Sequence, residues 1–167
     1  MKTLFLCVLA LPVMALAASN PDESFYKKAA EAGLSEVELG QLASNKSPDP
    51  DVKKFADMMV RDHGAANQKL QALASSKNIS LPTRPGISQM ATKAKLDVLS
   101  GQTFDKSYIK SQVKAHEETA ALLKKEISSG QDADAQAFAK SVLPTVQAHL
   151  AAVRGLAAAE KSGSASH

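Results

Sequence analysis

Four residues carry the chemistry that this sequence offers: Glu36, His63, His116 and His149. A neutral imidazole presents one ring nitrogen with a free lone pair, and a carboxylate adds a negative oxygen donor. Three imidazoles and one carboxylate suit a single Zn, Cu or Fe ion. The same four groups can instead close on one another, with or without water, as a hydrogen-bonded polar layer that fixes helix register. Both readings stay open from the residue types alone. His167, the other histidine, is the last residue of the chain.

The four lie far apart in sequence, so separate elements must bring them together. Steps of three and four place each on an apolar helical stripe. Phe25, Ala29, Ala32, Glu36, Leu39 and Ala43 form the first stripe. Val52, Ala56, Met59, His63, Ala66, Leu70 and Leu73 form the second. Ile109, Val113, His116, Ala120, Leu123 and Ile127 form the third, and Phe138, Val142, Thr145, His149, Ala152 and Leu156 the fourth. Each polar residue is about 20–25 Å from the start of its helix at 1.5 Å per residue. Mid-helix positions of antiparallel neighbours meet at one level, which predicts a single layer built from Glu36, His63, His116 and His149.

Asp62, Glu117 and Glu38 flank these positions, and a carboxylate commonly orients a ligating imidazole through its other ring nitrogen. "RDH" and "HEE" put two of them beside the stripe, where solvated charges are also ordinary. Met58, Met59 and Met90 are too scattered for a thioether copper cluster, and Met59 reads as core. No Ser-His-Asp or Cys-His arrangement, phosphate loop or pair of inner carboxylates is present, so no catalytic residue is assigned.

Capping signals set the helix boundaries. Asn20 as cap, Pro21 and Glu23 start a first helix that runs to about Asn45. Asp49 and Pro50 start a second, which ends near Lys77 before Pro82 and Pro85. "SQMATKAKLDVLSG" predicts a short helix closed by Gly101. A further long helix runs from a Thr103 cap to about Ser129, with Gly130 as its stop. The last runs from near Asp132 to about Ala159, with a kink expected at Pro144. Short loops make antiparallel pairs of the first two and last two long helices. The stretch between the pairs is long enough to cross the whole bundle. The fold class is therefore all-α: a ferritin-like four-helix bundle with one long crossover and a short extra helix.

Residues 1–17 read as a signal peptide: Lys2, an apolar run and the small-x-small signal Ala15-Leu16-Ala17. The run is too short for a retained membrane span. The expected organisation is a signal peptide over 1–17, a bundle domain over 18–160 and a disordered tail over 161–167. Cys7 leaves with the signal peptide, so the mature chain has no disulfide and no thiolate ligand, and export to the periplasm is expected. The net charge of +3 falls to +2 without Lys2, acids and bases are interspersed, and stacking aromatics are scarce. Nucleic acid is not an expected partner.

"KAAEAGLSEVELGQLA", "VKKFADMMVRDH", "KAHEE" and "LPTVQAHL", in that order, resemble the bacterial ferritin-like family called domain of unknown function 4142. The resemblance runs from about Glu23 to Ala158. It implies a ferritin-like bundle and an exported protein, and it implies no established activity. Glu36 falls in the first block and His63, His116 and His149 in the others. Members are often labelled outer-membrane proteins, but this sequence has no run of alternating ten-residue strands. Di-iron ferritin-like proteins carry Glu-x-x-His on two helices. Here Val60 and Val146 occupy the positions three before His63 and His149. One inner carboxylate cannot neutralise two irons, so one metal ion is the most expected. The alternative is a structural or stress-related interaction protein with a polar layer and no metal.

Overall fold

Five helices follow from the sequence pattern in the computed structural model, which describes residues 20–164. They are α1 (Glu23–Lys46), α2 (Pro50–Ser76), α3 (Ile87–Asp97), α4 (Gly101–Ser129) and α5 (Ala133–Ser164). The proposed signal peptide lies outside the described residues. Asp49 caps α2 as its sequence predicts, accepting from the backbone N–H of Asp51 at 2.8 Å and of Val52 at 3.3 Å. Asp132 caps α5 through Asp134 and Ala135 in the same way.

Four boundaries differ from expectation. Asp22, not Asn20, occupies the N-cap position of α1; the Asn20 side chain accepts from the Asp22 backbone N–H at 2.9 Å and its amide donates to Asp132 at 2.7 Å. Gly101 does not close α3. It opens α4 at φ +56°, a left-handed conformation that glycine adopts without strain, and Thr103 lies inside the helix. A glycine between two helices can serve either end, and here α3 has already stopped at Asp97. Finally, α5 continues to Ser164, so Lys161–Ser164 are helical, not tail. Ala157, Ala158, Ala159, Glu160 and Lys161 all favour helix, and no breaker precedes Gly163. The helix also runs on through Pro144.

The long helices form a four-helix bundle with neighbours α1–α2, α2–α5, α5–α4 and α4–α1. Two apolar cores show their directions. One gathers Phe25 and Ala30 of α1, Leu70 of α2, Leu123 of α4 and Phe138 of α5. The other gathers Leu39 and Ala43, Val52 and Phe55, Phe104 and Tyr108, and Val153. Each neighbouring pair is therefore antiparallel, while α2 and α4 run the same way across the diagonal. The link between them must travel the full bundle length, and α3 lies in it against α1 and α4. This is the ferritin-like topology with one long crossover.

One end is tied by Asp132, which takes a hydrogen bond from the Tyr26 hydroxyl at 3.2 Å and an ion pair from Lys77 at 3.0 Å. Between the two cores all four long helices present buried polar side chains: Glu36, His63, Gln112, His116 and His149. Among the described residues no helix is long and apolar enough to cross a membrane.

Candidate metal centre

His63 on α2, His116 on α4 and His149 on α5 converge in the interior. Their ring centroids form a near-equilateral triangle with sides of 5.6, 5.4 and 5.5 Å. One ring nitrogen from each lies within 4.8 Å of the other two. Their relative exposures are 7, 1 and 2%, so solvent does not hydrate these nitrogens.

The hydrogen bonds fix two tautomers. His116 Nδ1 lies 2.9 Å from the Gln112 carbonyl oxygen, one turn back on α4. A carbonyl only accepts, so Nδ1 carries the proton and Nε2 keeps a lone pair. His149 Nε2 lies 3.0 Å from Asp62 Oδ2. That nitrogen donates to the carboxylate and leaves Nδ1 with the lone pair. Asp62 is held in turn by Arg61 Nε at 2.8 Å. His63 Nε2, His116 Nε2 and His149 Nδ1 are all buried with no hydrogen-bond partner. An unpartnered buried polar atom is costly, and here the three rings of one triangle each carry one.

Electrostatics keeps the rings neutral. Burial pushes His63 down to about 3, helped by the neighbouring His116 and His149 rings. Burial takes His116 down to about 4 against the opposing pull of the Gln112 carbonyl. Burial also lowers His149, while Asp62 opposes the shift. Burial would raise Asp62, but hydrogen bonds from Arg61 and His149 override it and hold the carboxyl below its ordinary range. Neutral imidazoles are the form that ligates a metal. An ion at about 2.0–2.1 Å from each nitrogen would draw the donors to about 3.4 Å apart in tetrahedral geometry. A groove of about 270 Å³ between α2 and α5, lined by Asp62, Lys69, Thr145 and both His63 and His149, leads to the triangle.

The other candidates stand elsewhere. Glu36 is buried at 3% exposure but is not among the converging donors. It sits beside Gln112, level with α4 one turn, or about 6 Å, before His116. Burial raises it to about 7; the Gln112 amide opposes the shift, although neither polar atom of that amide makes a well-formed hydrogen bond. Glu117 pairs on the surface with Arg154 at 2.6 Å. Glu38 is half-buried on α1, outside the histidine group. Of the three flanking carboxylates only Asp62 touches a ring.

Two polar residues of the layer were absent from the predicted stripe: Gln112 and Tyr108, four and eight positions before His116. They occupy the adjacent edge of the buried face, and the i, i−4, i−8 series from His116 was the available signal. On α5 the inner line passes through Val146 and Val153, while Thr145 and Ala152 are exposed.

The family described as Domain of unknown function (DUF4142) matches residues 10–156. The chain belongs to this family. No curated protein gives a significant match. Among solved structures, this DUF4142 chain is similar to a DUF305 protein from Streptomyces coelicolor, at 14% identity and TM-score 0.71, covering 84% of this chain and 93% of that one. It is also similar to CopM in the Cu(I)-bound form, at 12% identity and TM-score 0.68, and in the Cu(II)-bound form, at 14% and 0.66. Both matches cover 81% of this chain and 94% of CopM. At such identities the likeness establishes the helical fold.

Proposed function

We propose that this protein is an exported binder of one transition-metal ion, held by His63, His116 and His149, with storage, buffering or sensing as its role. Two observations carry the reading: one ring nitrogen of each histidine lies within 4.8 Å of the other two, and each histidine has a buried ring nitrogen with no hydrogen-bond partner. Asp62 acts through His149 by fixing its tautomer and making it a stronger donor. Glu36 is left out of the first coordination shell.

The donor chemistry narrows the ion. Three neutral imidazoles suit copper and zinc, whereas non-haem Fe(II) favours two histidines and a carboxylate on one face. Copper is the preferred ion: a site of neutral donors tolerates the single charge of Cu(I) best, and a protein of similar fold is known in copper-bound forms. The alternative, a polar layer that only fixes helix register, leaves the three nitrogens without partners. We place the mature chain in the periplasm, which N-terminal sequencing of the processed protein checks.

The deciding experiment is metal analysis of untagged protein purified without chelator, with Cu(I), Cu(II), Zn and Fe titrations in competition with chromophoric chelators. One equivalent, lost in both His63→Ala and His116→Ala, supports the site. No stoichiometric uptake of any of these ions ends the proposal.

A further inference from the structure

α2 and α4 begin at the end of the bundle where α5 finishes. A cavity of about 360 Å³ lies among these three ends. Four carboxylates line it, those of Asp49, Asp51, Asp105 and Glu160, and Lys106 is the one basic side chain in the lining. The first two have a local structural cause. Asp49 caps α2, and Asp51 stands in its first turn, where a negative charge suits the helix dipole. Asp105 has no such cause. It lies beyond the first turn of α4, where the dipole has faded, and it is buried at 4% exposure with no hydrogen-bond partner for Oδ1. Burial pushes its carboxyl above the ordinary range; the Ser47 hydroxyl opposes the shift and the Asp49 charge adds to it. Half-buried Glu160 is also raised, first by burial, with Lys106 opposing and the Asp105 and Asp49 charges adding.

We propose that this cavity binds a short aliphatic diammonium ion, with one ammonium seated on Asp105 at the buried wall and the other held by Asp51 at the mouth. The lining excludes the other ligand classes. An anion would meet four carboxylates against one lysine. An apolar ligand would leave Asp105 Oδ1 buried and unpartnered. A hard divalent metal ion needs about six oxygen ligands around one point. These carboxylates do not gather so closely: among the described residues the histidine triangle is the one group of three whose donors lie within 4.8 Å. Carboxylates spread over a cavity suit separated positive charges instead. Each primary ammonium brings three N–H donors for their oxygens.

Exposure sets the order of the two charges, because Asp105 is buried and Asp51 is exposed. Val52, Ile109 and Leu156 line the same cavity and offer apolar surface to a chain of a few methylenes. Four carboxylates and one lysine give the ionised lining a net charge of −3, so a dication offsets more of it than a monocation does. A volume of this size is at the lower end of small-molecule pockets, suited to a ligand of a few carbons. Asp105 precedes His116 on α4 by about 16 Å along the axis at 1.5 Å per residue. The site is therefore separate from the imidazole centre and does not depend on it.

The test uses chelator-stripped protein, so that amines cannot act through a bound metal. It is run at pH 8, where alkylamines with a lysine-like pKa of about 10.4 are protonated, and at about 0.15 M salt, which screens long-range attraction. The probes are 1,4-diammoniobutane, n-butylammonium and Ca²⁺. Calorimetry should show saturable binding of one diammonium ion per chain. Butylammonium should bind about two- to fivefold more weakly, the contribution of one exposed ion pair. The isosteric Asp105→Asn should weaken the diammonium ion on the order of tenfold or more, as expected for a lost charged hydrogen bond. Asp51 is exposed, so Asp51→Asn leaves the fold intact and should bring the two amines to equal affinity. Glu36→Gln, which removes a buried carboxylate elsewhere in the bundle, should leave binding unchanged. No saturable diammonium binding, full affinity in a folded Asp105→Asn, a diammonium preference that survives Asp51→Asn, loss in Glu36→Gln, or tighter binding of Ca²⁺ would each overturn the assignment.

Discussion

Removing His63 and removing the charge of Glu36 should change the pH dependence of folding in opposite directions. Free imidazole in the unfolded chain titrates near 6.5, and burial lowers His63 to about 3. Between those values the unfolded state holds a proton that the folded state refuses, so stability is lost as pH falls below 6.5. From pH 7 to pH 5 this one ring costs about 2 kcal/mol. Glu36 has the reverse balance. Its folded value is raised to about 7 from an unfolded 4.5. The folded state then holds the extra proton, and that stabilisation is fully present below about 4.5 and lost as pH rises through 7. Going from pH 7 to 5 it contributes about 2 kcal/mol in favour of folding. Urea unfolding of chelator-stripped protein at the two pH values reads both terms as differences from wild type. His63→Gln should gain about 2 kcal/mol relative to wild type on acidification, and Glu36→Gln should lose about 2 kcal/mol. Parallel pH profiles for wild type and both variants would refute the neutral, dry polar layer from which the metal site is argued.

Three further outcomes follow from local geometry. Asp62→Asn keeps the shape but weakens the acceptor for His149, and metal affinity measured by chelator competition should fall about 10–100-fold while the fold is retained. Gly40→Ala should destabilise by about 1–3 kcal/mol in urea unfolding. Its new Cβ would lie 2.8 Å from the Ala56 carbonyl oxygen and 2.9 Å from Val60 Cγ2, where α1 and α2 approach closely. Asp49→Ala removes the two N–H acceptances that cap α2 and should cost about 1 kcal/mol by the same assay.

The meeting of three histidines was legible because two properties can be counted along a helix: phase around the axis and distance from a cap. Both are local. The same counts placed Glu36 in the layer, and it is in the layer, yet it faces Gln112 and not the ring of His116. What the counts omit is the slide of one helix along its neighbour. No short loop joins α1 to α4, so side-chain packing alone sets their offset, and one turn of about 5.4 Å decides whether a carboxylate reaches the triangle. The histidines tolerated that ignorance because α2 to α5 and α4 to α5 happen to align their midpoints. Gln112 and Tyr108 escaped for a different reason. A two-in-seven stripe suits a coiled-coil seam, but α4 buries a wider face that also holds Phe104, Asp105, Tyr108 and Gln112.

The arrangement of the bundle shows how a protein so poor in aromatics accommodates a buried polar layer at its centre. Two apolar cores, one on each side, supply the burial that keeps the bundle folded. The layer between them can then depart from apolar packing at a tolerable cost. Desolvation that would penalise charged imidazoles keeps them neutral, so an ion bound as proposed would spend little of its binding energy displacing protons near neutral pH. A histidine cluster on the surface lacks that advantage, and protons compete with the metal for its nitrogens as pH falls through about 6.5. Here the rings stay unprotonated in the folded chain to about 4 or below for His63 and His116. Metal retention should therefore persist to about pH 5, with global unfolding, not ring protonation in the native state, as the event that releases the ion. Coincident loss of metal and of helical circular dichroism during acid titration is the expected signature. Release of the ion near pH 6.5 from a fully helical protein would place the histidines in contact with water and remove the basis for the site.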